Sequence, residues 1–90
     1  IGTSYLEYVY QMFGRNRILS SAAYNAGPSR VNTWLGNSAG RVDSVAFIES
    51  IPFSETRRYV KNVLAYDAFY RYFLHQPAKI LTDAEWQRRY

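Results

Sequence analysis

Residues 54–75 read SETRRYVKNVLAYDAFYRYFLH, and this stretch decides the fold class. Val60, Val63, Leu64, Tyr70, Phe73 and Leu74 recur at three- and four-residue steps, the period of an amphipathic helix with one apolar face. Ser54 suits the N-cap, and Glu55 places negative charge where the helix dipole favours it. Pro77 cannot continue the pattern, so the helix is expected to run to about His75. His75 itself, the single histidine of the chain, sits where a dipole favours a cation, so capping or solvation suits it better than catalysis.

Working outward, Thr82-Asp83-Ala84-Glu85 reads as a capping box that opens a last short helix around Trp86. Upstream, Val42, Val45, Ala46, Phe47 and Ile48 fit a short helix or a buried strand within Gly40 to Ser50, and helix is the favoured reading. Pro28 suits a helix's first turn; Val31, Trp34 and Leu35 follow at helical spacing until Gly36-Asn37-Ser38 closes the segment. A further helix fits Ile18 to Asn25, with Ile18, Leu19, Ala22 and Ala23 as its buried stripe, before Gly27-Pro28 breaks it. Ile1, Tyr5, Tyr8, Val9, Met12 and Phe13 share one face of a first helix, which Gly14 is placed to stop. Residues 1–90 are thus expected to form a single all-α unit without repeats, linkers or low-complexity runs. The first residues join a helical pattern already in progress, so the N-terminus reads as a cut.

Composition bounds what such a unit can be. Ninety residues make one small domain at most, of marginal independent stability. An apolar share of 48%, with nine Tyr and five Phe, argues against a disordered tail. No cysteine is available for a disulfide or a thiolate metal site. The net charge of +4 favours anionic partners, among them nucleic acid, acidic lipid and peptidoglycan with its peptide carboxylates. No apolar run approaches the roughly 18 residues of a membrane span, so no integral membrane segment is expected. No P-loop, dinucleotide fingerprint, zinc-ligand cluster or nucleophile elbow occurs, and neither a metal nor a cofactor is expected.

Two stretches carry more polar chemistry than packing requires. In Ala22-Ala23-Tyr24-Asn25-Ala26-Gly27-Pro28, Tyr24 and Asn25 offer a ring face and an amide at a helix end, a combination suited to sugars. The plainer alternative has Asn25 capping the helix and Tyr24 filling the core. In Ile51-Pro52-Phe53-Ser54-Glu55-Thr56-Arg57-Arg58-Tyr59-Val60, a carboxylate, hydroxyls and guanidinium groups crowd a helix N-terminus. Glu55 beside Arg57 and Arg58 is expected to stay ionised, which suits hydrogen bonding to a ligand better than proton donation. Its plainer alternative is a solvated helix start.

These two stretches, about thirty residues apart, resemble the A-Y-N-A-G and I-P-x-x-E-T-R-x-Y-V motifs of the soluble lytic transglycosylases, whose catalytic domain is lysozyme-like. Ile1-Gly2-Thr3-Ser4-Tyr5-Leu6 resembles the family's G-x-x-Y-L helix. Asn62-Val63-Leu64-Ala65-Tyr66 and the tail from Trp86 to Tyr90 resemble the end of its large periplasmic member. The resemblance spans essentially the whole chain. It implies the C-terminal helical part of a peptidoglycan-cleaving domain, acting on the β-1,4 bond between N-acetylmuramic acid and N-acetylglucosamine to leave a 1,6-anhydro end. It also implies a periplasmic location, with glycan strands, stem peptides and the upstream part of the same domain as partners.

In the family a single glutamate, opening an E-S motif followed by G-L-M-Q, serves as acid and then base. Neither motif occurs here, so no catalytic residue is expected in this segment and the acid is expected upstream of Ile1. Carried over residue by residue, Tyr24 and Asn25 line the groove, Glu55 contacts saccharide or stem peptide, and Tyr59 orients the acid. A competing possibility is a basic nucleic-acid-binding module using Arg30, Arg57, Arg58 and Lys61 on phosphates. The scatter of the basic residues and the core spacing of the tyrosines weaken it, and nucleic acid is not the expected partner.

Overall fold

The computed structural model describes residues 2–90, which form six α-helices and no strand among the described residues: α1 Gly2–Met12, α2 Arg17–Ala26, α3 Pro28–Ser38, α4 Ser44–Ser50, α5 Ser54–Phe73 and α6 Asp83–Gln87. The apolar position Ile1 lies outside the described residues.

α2 is the centre of the fold, packed against α1, α3 and α5. Its position follows from its sequence. Ile18, Leu19, Ala22 and Ala23 are all buried, and the two alanines keep the helix thin enough for neighbours on several sides. Asn16 caps it, its Oδ1 accepting from the Leu19 N–H at 3.0 Å. Val9, Val31, Phe47, Ile48, Ile51, Val60, Leu64 and Tyr90 complete the core around this stripe. Burying each of the larger side chains contributes roughly 1.5–3 kcal/mol.

The segment between Gly40 and Ser50 resolves as helix, with Asp43 as N-cap accepting from the Ala46 N–H at 2.8 Å. The capping box at Thr82 and Glu85 is present as expected.

Several details differ from expectation. Phe53, not Ser54, holds the N-cap position of α5 and makes no side-chain cap; Ser54 is already the first helical residue. The helix stops at Phe73, and His75 adopts φ 56° in the turn beyond it, so it is not part of the last helical turn. Gly36 lies inside α3, which instead ends at Ala39 in the left-handed region. Among the described side chains of α1 only Val9 is fully buried, while Tyr5, Tyr8 and Met12 are exposed. On α5 the apolar face is covered through Val60, Leu64 and Ala68, but Tyr70, Phe73 and Leu74 are exposed. Periodicity located the helices correctly; it could not tell which stretches of a stripe find a partner.

At the C-terminal end Trp86 is exposed and Tyr90 is the buried anchor. The Tyr90 ring stacks on Phe47 with centroids 5.1 Å apart. Its hydroxyl donates to the Glu85 carbonyl and accepts from Asn16 Nδ2, each at 3.0 Å. Burial pushes the Tyr90 phenol up, against the opposing pull of the Asn16 hydrogen bond. Its backbone N–H donates to the Val42 carbonyl at 2.8 Å, and its carbonyl accepts from the Gly40 N–H and the Ser38 hydroxyl. The last residue thus ties the loop before α4 to the cap of α2.

Candidate functional site

The end of α2 meets the first two turns of α5, and this crossing gathers most of the residues singled out from sequence. Gly27, at φ 100°, breaks α2 in a conformation that residues with a Cβ rarely adopt, and Pro28 starts α3 at once. Tyr24, three residues before this break, lies at an edge rather than inside and is 41% exposed. Across the crossing, the Tyr24 ring stacks on Tyr59 with centroids 6.5 Å apart and planes 15° from parallel. One residue along, the Thr56 hydroxyl donates to Asn25 Oδ1 at 2.7 Å.

The plainer alternative for this pair therefore fails on both counts. Tyr24 does not fill the core, and the Asn25 side chain spans to α5 instead of capping its own helix. Thr56 was not singled out from sequence. It lies one turn before Val60 and shares its buried face, so the helical period contained the signal that it points inward.

Glu55 stands apart from these four side chains. It precedes Thr56 by one residue, about 100° around the helix, and is exposed. Among the described residues neither Arg57 nor Arg58 forms an ion pair with it. Arg57 Nη1 donates to the Ile51 carbonyl at 2.6 Å instead. The structure therefore joins Tyr24 to Tyr59 by ring stacking and Asn25 to Thr56 by a hydrogen bond, and leaves Glu55 exposed at the start of α5.

Tyr59 also lines a cleft of about 450 Å3 between α1, α2 and α5, whose walls include Leu6, Tyr10, Arg17, Val63 and Asp67. A larger cavity of about 670 Å3, bounded by Phe13, Asn16, Leu19, Glu85 and Arg88, contains none of the four predicted residues.

The chemistry available can be settled by following the four glutamates of the sequence. Glu7 accepts from Gln11 at 2.7 Å on the α1 surface, and Glu49 pairs with Lys61. Glu85 is buried and fixed. Burial alone would push its carboxyl up, but hydrogen bonds from the Arg17 side chain, from the Thr82 and Arg17 N–H groups, and the nearby guanidinium charge hold it below the usual carboxylate value. A glutamate held ionised in this way cannot donate a proton near neutral pH. Glu55 is solvated. Among the described residues no cluster of His, Cys, Asp or Glu could hold a metal ion. The surface offers ring faces, an amide and a carboxylate, groups suited to binding rather than to proton transfer.

Comparison with known proteins follows the same outline. A family model described as "Transglycosylase SLT domain" matches residues 1–47, and one described as "Soluble lytic transglycosylase helical domain" matches residues 50–79. The chain is 76% identical over 90 residues to the soluble lytic murein transglycosylase of Salmonella typhimurium, spanning 14% of that relative's length. It is similar to the crystal structure of the 70 kDa soluble lytic transglycosylase from Escherichia coli, with TM-score 0.96 and 74% identity over 99% of this chain and 14% of that one. A complex of the 70 kDa soluble lytic transglycosylase with bulgecin A gives TM-score 0.96 at 73% identity, again over 99% and 14% of the two chains. Its all-helical fold and the match of the first family model to more than half of its residues establish that this chain belongs to the soluble lytic transglycosylase family.

Proposed function

We propose that this chain is the C-terminal part of a single lysozyme-like catalytic domain in a periplasmic peptidoglycan lytic transglycosylase, and that it supplies groove wall rather than the catalytic acid. The intact enzyme would break the β-1,4 bond between N-acetylmuramic acid and N-acetylglucosamine, with the muramyl 6-hydroxyl as the attacking group, leaving a 1,6-anhydro product. Because the substrate brings its own nucleophile, no second carboxylate is needed to activate water, and one glutamic acid can act first as acid and then as base. That acid is proposed to lie upstream of Ile1.

The observation that carries this proposal is the stacking of exposed Tyr24 on half-buried Tyr59 beside the Asn25–Thr56 hydrogen bond. A tyrosine presents an apolar face with a polar tip, which matches the mixed surface of a pyranose ring. Asn25 ties the crossing that sets the two rings, Tyr59 would orient an incoming acid through its hydroxyl, and Glu55 would meet amide or ammonium groups of a stem peptide. That a relative of known structure forms a complex with bulgecin A supports a ligand site in this family.

Three of the four cations that the nucleic-acid alternative would need are already engaged. Lys61 pairs with Glu49, Arg57 donates to the Ile51 carbonyl, and Arg30 lies over the Phe53 ring at 4.6 Å. The two classes separate in a binding experiment. Binding of N-acetylglucosamine oligomers should vary little between 50 and 200 mM salt, whereas a module with four phosphate contacts would lose about a hundredfold in DNA affinity over the same range. Tight, steeply salt-dependent DNA binding without oligosaccharide binding would contradict the proposal.

A further inference from the structure

The Tyr24–Tyr59 pair does not end at α5. On its other side Tyr5 of α1 meets Tyr24 with centroids 6.0 Å apart and planes at 44°, and Tyr8 meets Tyr5 at 6.4 Å and 32°. Four tyrosines from three helices therefore form one continuous row, Tyr8, Tyr5, Tyr24, Tyr59. Tyr5 and Tyr8 are neighbours along one side of α1: Tyr5, one turn before the buried Val9, borders the core, and Tyr8 lies further out. Tyr8 is 62% exposed and Tyr5 40%. Among the described residues Tyr8 is left largely uncovered, and contiguous exposed aromatic surface is a mark of a binding site.

Resting on the groove assignment made above, we propose that Tyr5 and Tyr8 form a further saccharide subsite, which binds the units of the glycan strand beyond those held at Tyr24 and Tyr59. Two features favour a sugar polymer as occupant. The row is continuous with the Tyr24–Tyr59 pair, ring to ring through Tyr5, so one extended chain can reach from one part to the other. Every member is also a tyrosine, which pairs a ring face for sugar C–H groups with a hydroxyl for hydrogen bonding, whereas a purely protein-covered face could equally use Leu or Phe. Tyr5 bridges the two parts of the row, and Tyr8 is its outer end.

The test measures affinity of the intact protein carrying this chain for short and long N-acetylglucosamine oligomers, a trimer and a hexamer, by calorimetry. Tyr8→Ala should weaken hexamer binding roughly three- to tenfold, leave trimer binding and the thermal midpoint unchanged, and Tyr8→Phe should keep most of the hexamer affinity. Tyr24→Ala should weaken both oligomers. If Tyr24→Ala weakens both and Tyr8→Ala weakens neither, the subsite is overturned while the groove assignment stands. A fall in thermal midpoint for Tyr8→Ala with equal loss for both oligomers would also overturn it, since that is the signature of a contact with another protein segment. Failure of the unmodified protein to bind either oligomer would overturn the groove assignment and the subsite together.

Discussion

Replacing Arg17 with alanine should destabilise the chain by about 3–5 kcal/mol, one of the largest effects expected of any single substitution. Arg17 opens α2, and its guanidinium is held on three sides. It donates to Glu85 Oε1 at 2.7 Å and to Oε2 at 2.9 Å, pairs with Asp67, and reaches the Ile80 carbonyl at 3.0 Å. Hydrogen bonding to Glu85 is the main reason its own proton is held more tightly than usual. The side chains of Arg17 and Glu85 are only 15% and 4% exposed. Without the arginine, Glu85 would be a buried carboxylate lacking its counter-charge, and that penalty rather than the lost attraction sets the magnitude. The double change Arg17→Met with Glu85→Leu should consequently cost far less than Arg17→Ala alone. Chemical denaturation of the three variants checks this; equal losses for the single and double changes would contradict it.

The same pair makes stability depend on pH, with a definite sign. Glu85 titrates below its ordinary value of 4.5 when folded, so its contribution is fully present above that value and is lost as pH falls through the lower folded one. Melting temperature should therefore drop on acidification below about pH 4.5, and Glu85→Gln should flatten that drop. An unchanged acid profile in the variant would mean that other carboxylates set it.

The second large effect concerns activity. Given purified peptidoglycan, this chain alone should release no detectable anhydromuropeptides. A transglycosylation step needs a carboxylic acid that is protonated at the start, within reach of the leaving oxygen, and matched in pKa to the working pH. None of the four glutamates qualifies: Glu85 is locked to Arg17, Glu49 to Lys61, Glu7 sits beside Gln11 on the α1 surface, and Glu55 is exposed on the first turn of α5. Joining the chain to an upstream segment that carries an E-S and G-L-M-Q pair should restore release by orders of magnitude. Robust turnover by the chain alone, abolished by Glu55→Gln, would show that the acid is already present.

Local rules made much of the fold legible. Ala22 and Ala23 beside Ile18 and Leu19 marked the central helix, Pro28 marked the start of α3, and the Thr82–Glu85 capping box marked α6, because each signal is confined to a turn or two of chain. Glu85 was legible only as a cap residue. Its partner Arg17 lies 68 positions away, and Asn16 and Tyr90 meet across 74. Nothing in the spacing of either segment announces such pairings. The exposed half of α5 was misjudged for the complementary reason, since an apolar stripe is the same in sequence whether or not a neighbouring surface covers it.

The candidate site was legible in part. Tyr24, Asn25, Glu55 and Tyr59 were found through the polar chemistry of two helix ends and the resemblance of their motifs. Thr56, which locks Asn25, was overlooked because a hydroxyl on a helix surface is ordinary in sequence and becomes informative only with its partner in view. Tyr5 and Tyr8 were assigned to an apolar helical face, and only the fold reveals that this face continues the tyrosine pair.

The most direct test of the groove assignment is an NMR titration of the isotopically labelled protein with an N-acetylglucosamine oligomer. Shifts concentrated at Tyr24, Asn25, Glu55 and Tyr59, with the Asn16–Glu85 cavity undisturbed, are the expected result. Shifts centred on that cavity, or scattered with no focus at the α2–α5 crossing, would contradict it.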